Sequence, residues 1–235
     1  MWAGLEEEHV HMIKHDAALT LVIMTAVLLP MLALERARRV DNKAVSYAMS
    51  LCTSLAMTTA GFVTVLPAFA ESGFDVSAMV VDTRYARFVS TFFATFCLLD
   101  LVYGKLFYPK QIDLLTGWVH HIVYMWLMYH IHVTHTQGSF ALFLIEELPT
   151  FLLALGNVSR KLRTNLLFGA AFFATRIAWH SFMLHHFWAA RKAIVAPLWP
   201  FIALTLVLHL HWLYGYLLQQ RKRLRKRAAS KSKPE

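Results

Sequence analysis

Residues 86–108 read ARFVSTFFATFCLLDLVYGKLFY, and this stretch sets the class of the fold. A helix that crosses a hydrocarbon core of ~30 Å takes roughly 20 mostly apolar residues, each rising about 1.5 Å. The stretch meets that length and carries a single acid, Asp100, well inside it. A charge at mid-bilayer costs at least about 2.5 kcal/mol, so an acid there calls for a partner or a cavity.

Working outward, six further stretches qualify: 17–34, 44–70, 114–135, 138–156, 165–190 and 195–218. The expected fold is therefore all-α, a polytopic membrane protein of about seven transmembrane helices. Composition agrees, with 57% hydrophobic and 16% charged residues and a mean hydropathy of +0.47, values unsuited to a water-facing surface. The net charge of +9 is not a nucleic-acid signal, because the basic residues sit in short blocks between apolar stretches. Cys52 and Cys97 both lie inside apolar stretches, where no disulfide framework is expected.

Those blocks read as topology. Arg36, Arg38, Arg39 and Lys43 follow the first span, Lys105 and Lys110 flank the end of the third, and Arg160, Lys161 and Arg163 follow the fifth. With seven spans, all of these and the tail from Arg221 to Lys233 fall on one side, the cytosolic one. This divides the chain into a non-cytosolic segment 1–16, an N-terminal span 17–34, a six-helix domain 44–218 and a basic cytosolic tail 219–235. Glu6, Glu7 and Glu8 stand where a signal peptide would be basic, so the first helix is expected to stay as an anchor. Asn157-Val158-Ser159 is a glycosylation sequon on the cytosolic side, expected to be unmodified. Lys231-Ser232-Lys233-Pro234-Glu235 resembles a dilysine retrieval signal, implying residence in the endoplasmic reticulum and a COPI-coat contact through Lys231 and Lys233.

The ionisable residues within the spans are Asp100, His120, His121, Glu146, Glu147, Arg176, His180, His209 and His211. Helical rise sorts most of them into two layers. Asp100, His120, His121, His209 and His211 come out roughly 10 Å below the cytosolic face, while Glu146, Glu147 and Arg176 come out about mid-membrane. The first set is expected to converge on one pocket and the second to form an ion pair. Pro149 lacks an amide proton and is expected to leave the carbonyl of Ile145 without its helical partner, with Thr150 near the irregularity. The histidines at 9, 11, 15, 130, 132, 135, 185 and 186 read as interfacial. A neutral imidazole beside a carboxylate can take a proton or attack an acyl carbonyl, so His120 or His121 with Asp100 is the catalytic candidate.

Taken in order, 95–103 with Asp100, Trp118-Val119-His120-His121, Glu146-Glu147-Leu148-Pro149-Thr150 and Thr175-Arg176-Ile177 resemble the TLC domain, over roughly residues 44–218. The resemblance implies a six-helix bundle around a lipid-binding cavity, preceded by one extra helix. In ceramide synthases of that family, paired histidines begin a motif ending in two aspartates, and the machinery moves an acyl group from coenzyme A to a sphingoid amine. His120 and His121 match the pair. Glu147 is the better match to the first acid, and Pro149-Thr150 stand where the second would fall, as in the non-synthase members.

The function this implies is lipid homeostasis at the endoplasmic reticulum. A lipid or acyl chain binds in the cavity, and the protein acts on or regulates sphingolipid and phospholipid acyl composition. His120, His121, Asp100 and Glu147 are the catalytic candidates, and Glu146, Thr150, Arg176, His180, His209 and His211 the substrate-binding ones. Whether the chain is an enzyme stays open; the alternative is an acyl-CoA-dependent acyltransferase of ceramide-synthase type. No metal or resident cofactor is expected, acyl-CoA entering only as co-substrate. A histidine-box lipid oxidase is the minor alternative, because His130, His132, His135, His185 and His186 lie far from His120 along the membrane normal. Membrane lipids are the expected partners.

Overall fold

The computed structural model describes residues 7–194 and 197–231. The described residues are helical with short connections and no strand. In order they form α1 (Glu7–Arg36), α2 (Asn42–Glu71), α3 (Arg84–Phe107), α4 (Leu114–Val119 continuing as His120–Val133), α5 (Gly138–Ala141, Leu144–Glu147 and Leu148–Val158), α6 (Asn165–Ala189) and α7 (Trp199–Lys231). The order matches the seven expected stretches.

Five of them, α1, α2, α3, α6 and α7, are long and apolar enough to cross a membrane. The other two fall short for readable reasons. In α4 the histidines at 120, 121, 130 and 132 lower the apolar content, and α5 is broken by a tight 3-10 turn at Leu144–Glu147. The expected first segment, 1–16, is helical from Glu7 onward, and the tail continues α7 as far as Lys231, as its Arg, Lys and Ala favour. Of the dilysine-like signal, Ser232 to Glu235 lie outside the described residues.

Apolar side chains dominate the exterior as well as the interior, and the interior also holds polar groups. Val22, Val63, Leu114, Leu166, Leu204 and Val207 face outward, whereas Asp16, Ser90, Asp100, His121, His132, Glu146, His180 and His209 are buried. An apolar exterior of this extent suits a lipid solvent, and helix association then rests on close packing and interhelical polar contacts.

Packing follows a ring. α3 lies against α4, α2 against both α3 and α5, α5 against α6, and α6 against α7. α7 closes on α4 where Phe201 meets Trp126 and Trp212 meets His120. α1 stands outside, on α2 and α3.

Local sequence sets the details. Asp41 caps α2 by accepting from the amide of Ala44 at 2.8 Å, and Thr83 caps α3 by accepting from Ala86 at 3.1 Å. The Ala44 amide and Arg160 hold the exposed Asp41 carboxyl below its ordinary range. Within α2, Gly61–Val65 widens into a π turn just before Pro67, which cannot donate to the helix. Gly61 touches α5 at its break; a β-carbon there would stand 2.8 Å from the Ile145 nitrogen. The missing side chain lets two irregular backbones meet, and that meeting places Glu146 and Glu147.

Candidate functional site

A cavity of about 560 Å³ opens at the end of the ring where α3, α5 and α7 finish and α2, α4 and α6 begin. Ser46 and Ser50 line it from α2, Asp100 from α3, His120 and His121 from α4, Glu147 and Thr150 from α5, Arg176 from α6 and His211 from α7. Seven of the ten expected site residues therefore share one space. Arg163 and Arg223 stand among its lining residues toward the mouth.

Asp100 accepts a hydrogen bond from the Tyr108 hydroxyl at 2.8 Å and lies 3.7 Å from His121 Nε2. Tyr108 reaches back from the end of α3 and was not a sequence candidate; only its position two turns after Asp100 hinted at it. His121 is held in addition by the Phe96 ring, edge to face at 5.9 Å. His120 lies tilted against Tyr124, with centroids 4.6 Å apart, and against Trp212 at 6.2 Å. Both histidines line the cavity. One imidazole is thus placed against a carboxylate and its neighbour sits in an aromatic cradle, a division suited to proton transfer or to holding a polar headgroup.

Deeper in, Arg176 forms a collar. Its Nε–H donates to the Glu146 backbone carbonyl at 3.0 Å, Nη2 donates to the Thr150 hydroxyl at 2.8 Å, and Nη2 lies 3.8 Å from Glu147 Oε1. The guanidinium also faces the rings of Phe172 and Trp212 at 5.7 and 5.9 Å. The ion pair is therefore with Glu147 alone. Glu146 instead sets Oε1 2.8 Å from His180 Nδ1, because the 3-10 turn points the two adjacent carboxylates different ways. The same turn corrects the expected orphan carbonyl. Ile145 accepts from the Leu148 amide, and Pro149 withholds its donor from Glu146, whose carbonyl takes Arg176 instead.

His209 also departs from its expected layer. Its Nδ1 donates to the Arg176 carbonyl at 3.1 Å and its ring lies 4.9 Å from that of His180, so it belongs with Glu146 and not with Asp100. Two residues on, His211 points into the main cavity. On a helix, positions two apart lie on nearly opposite faces, so equal depth did not mean equal surroundings.

A second, smaller chamber of about 80 Å³ continues on the far side of the collar, with Glu147 and Arg176 bordering both. Its walls include Phe143, Leu198, Phe201 and Ile202, with Glu146, His180 and His209 among its polar members. The larger cavity thus forms a vestibule that meets a smaller recess across the ion-paired collar.

At the opposite end, histidines expected to be interfacial are joined through the interior. His9 Nε2 lies 2.9 Å from His132 Nδ1, and His132 Nε2 lies 3.0 Å from Ser90 Oγ. Asp82 takes two bonds from Arg87 at 2.5 and 2.7 Å and one from His135 at 3.0 Å. Burial alone would raise the Asp82 carboxyl, but Arg87 and His135 outweigh it and hold it below the ordinary range. Asp16 makes a paired contact with Arg84 at 2.5 and 2.6 Å, tying α1 to α3. The acid late in the first segment and the arginines opening the third were the available signal.

No protein-family model matches the chain, and neither a curated protein nor a solved structure does.

Proposed function

We propose that this is a seven-span membrane protein of the endoplasmic reticulum, TLC-like, that takes a lipid or acyl chain into its ring of helices and acts on or regulates membrane acyl composition. The observation that carries the reading is the cavity of about 560 Å³ lined by Asp100, His120, His121, Glu147 and Arg176. Ionisable groups are costly in lipid and are kept where a bundle needs a polar interior. The larger cavity sets these polar groups among apolar walls that include Phe93, Phe96, Leu152, Phe168 and Phe172, and a lipid is the ligand whose headgroup and chain suit such a lining. In this reading the basic end is cytosolic, which places Asn157 and the tail in the cytosol.

The test is mass spectrometry of lipids retained by the full-length protein after gentle extraction. A defined lipid class in stoichiometric amount supports the reading, and its absence under conditions that keep the protein folded contradicts it.

A second reading, acyl transfer from acyl-CoA, is favoured by one contact, the 3.7 Å approach of His121 Nε2 to Asp100. There His121 or His120 takes the proton of an acceptor amine or hydroxyl as its nitrogen or oxygen attacks the thioester carbonyl. The thiolate of coenzyme A then leaves and recovers that proton. Purified protein with acyl-CoA and sphingoid or lysophospholipid acceptors gives product in this reading, and His120→Ala with His121→Ala abolishes it.

A further inference from the structure

Glu146, His180 and His209 form a second polar constellation, distinct from the Asp100–His121 pair, and the hydrogen bonds around it fix which atoms point inward. All three are buried, at 7%, 2% and 2% exposed. His180 Nε2 lies 2.8 Å from the Ile202 carbonyl, and His209 Nδ1 lies 3.1 Å from the Arg176 carbonyl. A carbonyl can only accept, so each of these nitrogens carries hydrogen. The lone pairs of the neutral rings are then on His180 Nδ1 and His209 Nε2.

The remaining contact, His180 Nδ1 to Glu146 Oε1 at 2.8 Å, needs a positive centre between the two atoms, since neither a carboxylate oxygen nor a bare ring nitrogen donates. One proton meets that need. A divalent cation meets it as well, and His209 then has a role that the proton does not give it. One donor atom from each residue lies within 4.8 Å of the others. A triangle with no longer side encloses a point within about 2.8 Å of all three corners, so small side-chain shifts bring each to the usual metal distance of about 2.0–2.2 Å.

We infer that Glu146, His180 and His209 bind a divalent transition metal ion, of the zinc or iron(II) class, in the wall of the smaller recess. Two imidazoles and one carboxylate, with further positions open, are the donor set those ions take. The backbone carbonyls on the outer nitrogens are the orienting contacts that such histidines use. Charge agrees: the Arg176 guanidinium pairs with Glu147, leaving the Glu146 carboxylate beside His180 for a cation to offset. This departs from the expectation of no metal, which rested on the spacing of the other histidines. It stands apart from the lipid reading, because ion content and lipid content are measured separately and either can fail alone.

The test uses the full-length protein, purified in detergent without a polyhistidine tag, loaded with zinc chloride or anaerobic ferrous sulfate, desalted and assayed by elemental mass spectrometry. One ion per chain is expected. His209→Ala weakens retention by about tenfold or more, while His9→Ala with His135→Ala, at the opposite end, leaves it unchanged. No retained ion, or retention undiminished in His209→Ala, overturns the assignment. X-ray absorption on the loaded wild-type protein needs no variant. Imidazole nitrogen with oxygen at about 2.0–2.1 Å supports the site, and a shell of sulfur or of oxygen alone overturns it.

Discussion

Replacing Arg176 by Met keeps much of the side-chain length and removes the collar's only cation. Two hydrogen bonds are lost, to the Glu146 carbonyl at 3.0 Å and to Thr150 Oγ1 at 2.8 Å, and Glu147 loses the guanidinium 3.8 Å away. Intramembrane polar contacts contribute about 0.6 kcal/mol on average and about 1.7 at most. The two bonds therefore account for about 1–3 kcal/mol. Stranding a buried charge costs about 3–5 kcal/mol, but Glu147 borders the open cavity, where solvent lowers that cost. The total expected is about 2–4 kcal/mol. Arg176→Lys keeps the charge without the fork and falls between. Glu147→Gln added to Arg176→Met recovers about 0.5–3 kcal/mol of the loss, as coupled neighbours do. The assay is reversible unfolding in mixed micelles, run as a double-mutant cycle. Arg176→Met within about 0.5 kcal/mol of wild type, with additive double-mutant behaviour, would refute the collar.

Three further outcomes follow. Asp82 has a depressed folded-state value, so its contribution to stability is full above the unfolded carboxylate value and is lost as pH falls below about 4; thermal unfolding from pH 7 to pH 3 shows an acid-side decline that Asp82→Asn flattens. Gly61→Val drives a side chain into the Ile145 backbone and costs about 1–3 kcal/mol in the same micelle assay, whereas Gly73→Ala, exposed with open space at its β position, acts only through its left-handed turn. Asn157 carries no glycan when the protein is made in microsomes, and an endoglycosidase-sensitive mass shift at that residue reverses the proposed orientation.

Most of the architecture was legible because lipid imposes simple rules on sequence. Apolar length located the helical stretches, and the rarity of Asp100, His121, Glu147 and Arg176 within them marked the residues that share the cavity. What was not legible depended on rotation about the helix axis and on backbone irregularity. Depth placed His209 beside Asp100, but its facing put it beside His180. Adjacent Glu146 and Glu147 looked interchangeable until the 3-10 turn separated them. His9 and His132 read as interfacial because sequence alone does not show that α1 packs against α3 and reaches the end of α4. Tyr108, beyond the end of its helix, became a partner of Asp100 only when the chain turned back.

In the proposed function the lipid sits in the space inside the ring. Gly215 lines it, and a β-carbon there meets nothing within 4 Å, so Gly215→Trp fills the vestibule without displacing a neighbour at the point of attachment. Native mass spectrometry of the wild-type and Gly215→Trp proteins, extracted in parallel, measures occupancy directly. A lipid adduct on the wild type that is lost from the folded variant is expected; an adduct of equal mass and intensity on both would place the lipid on the outer surface and overturn the proposed function.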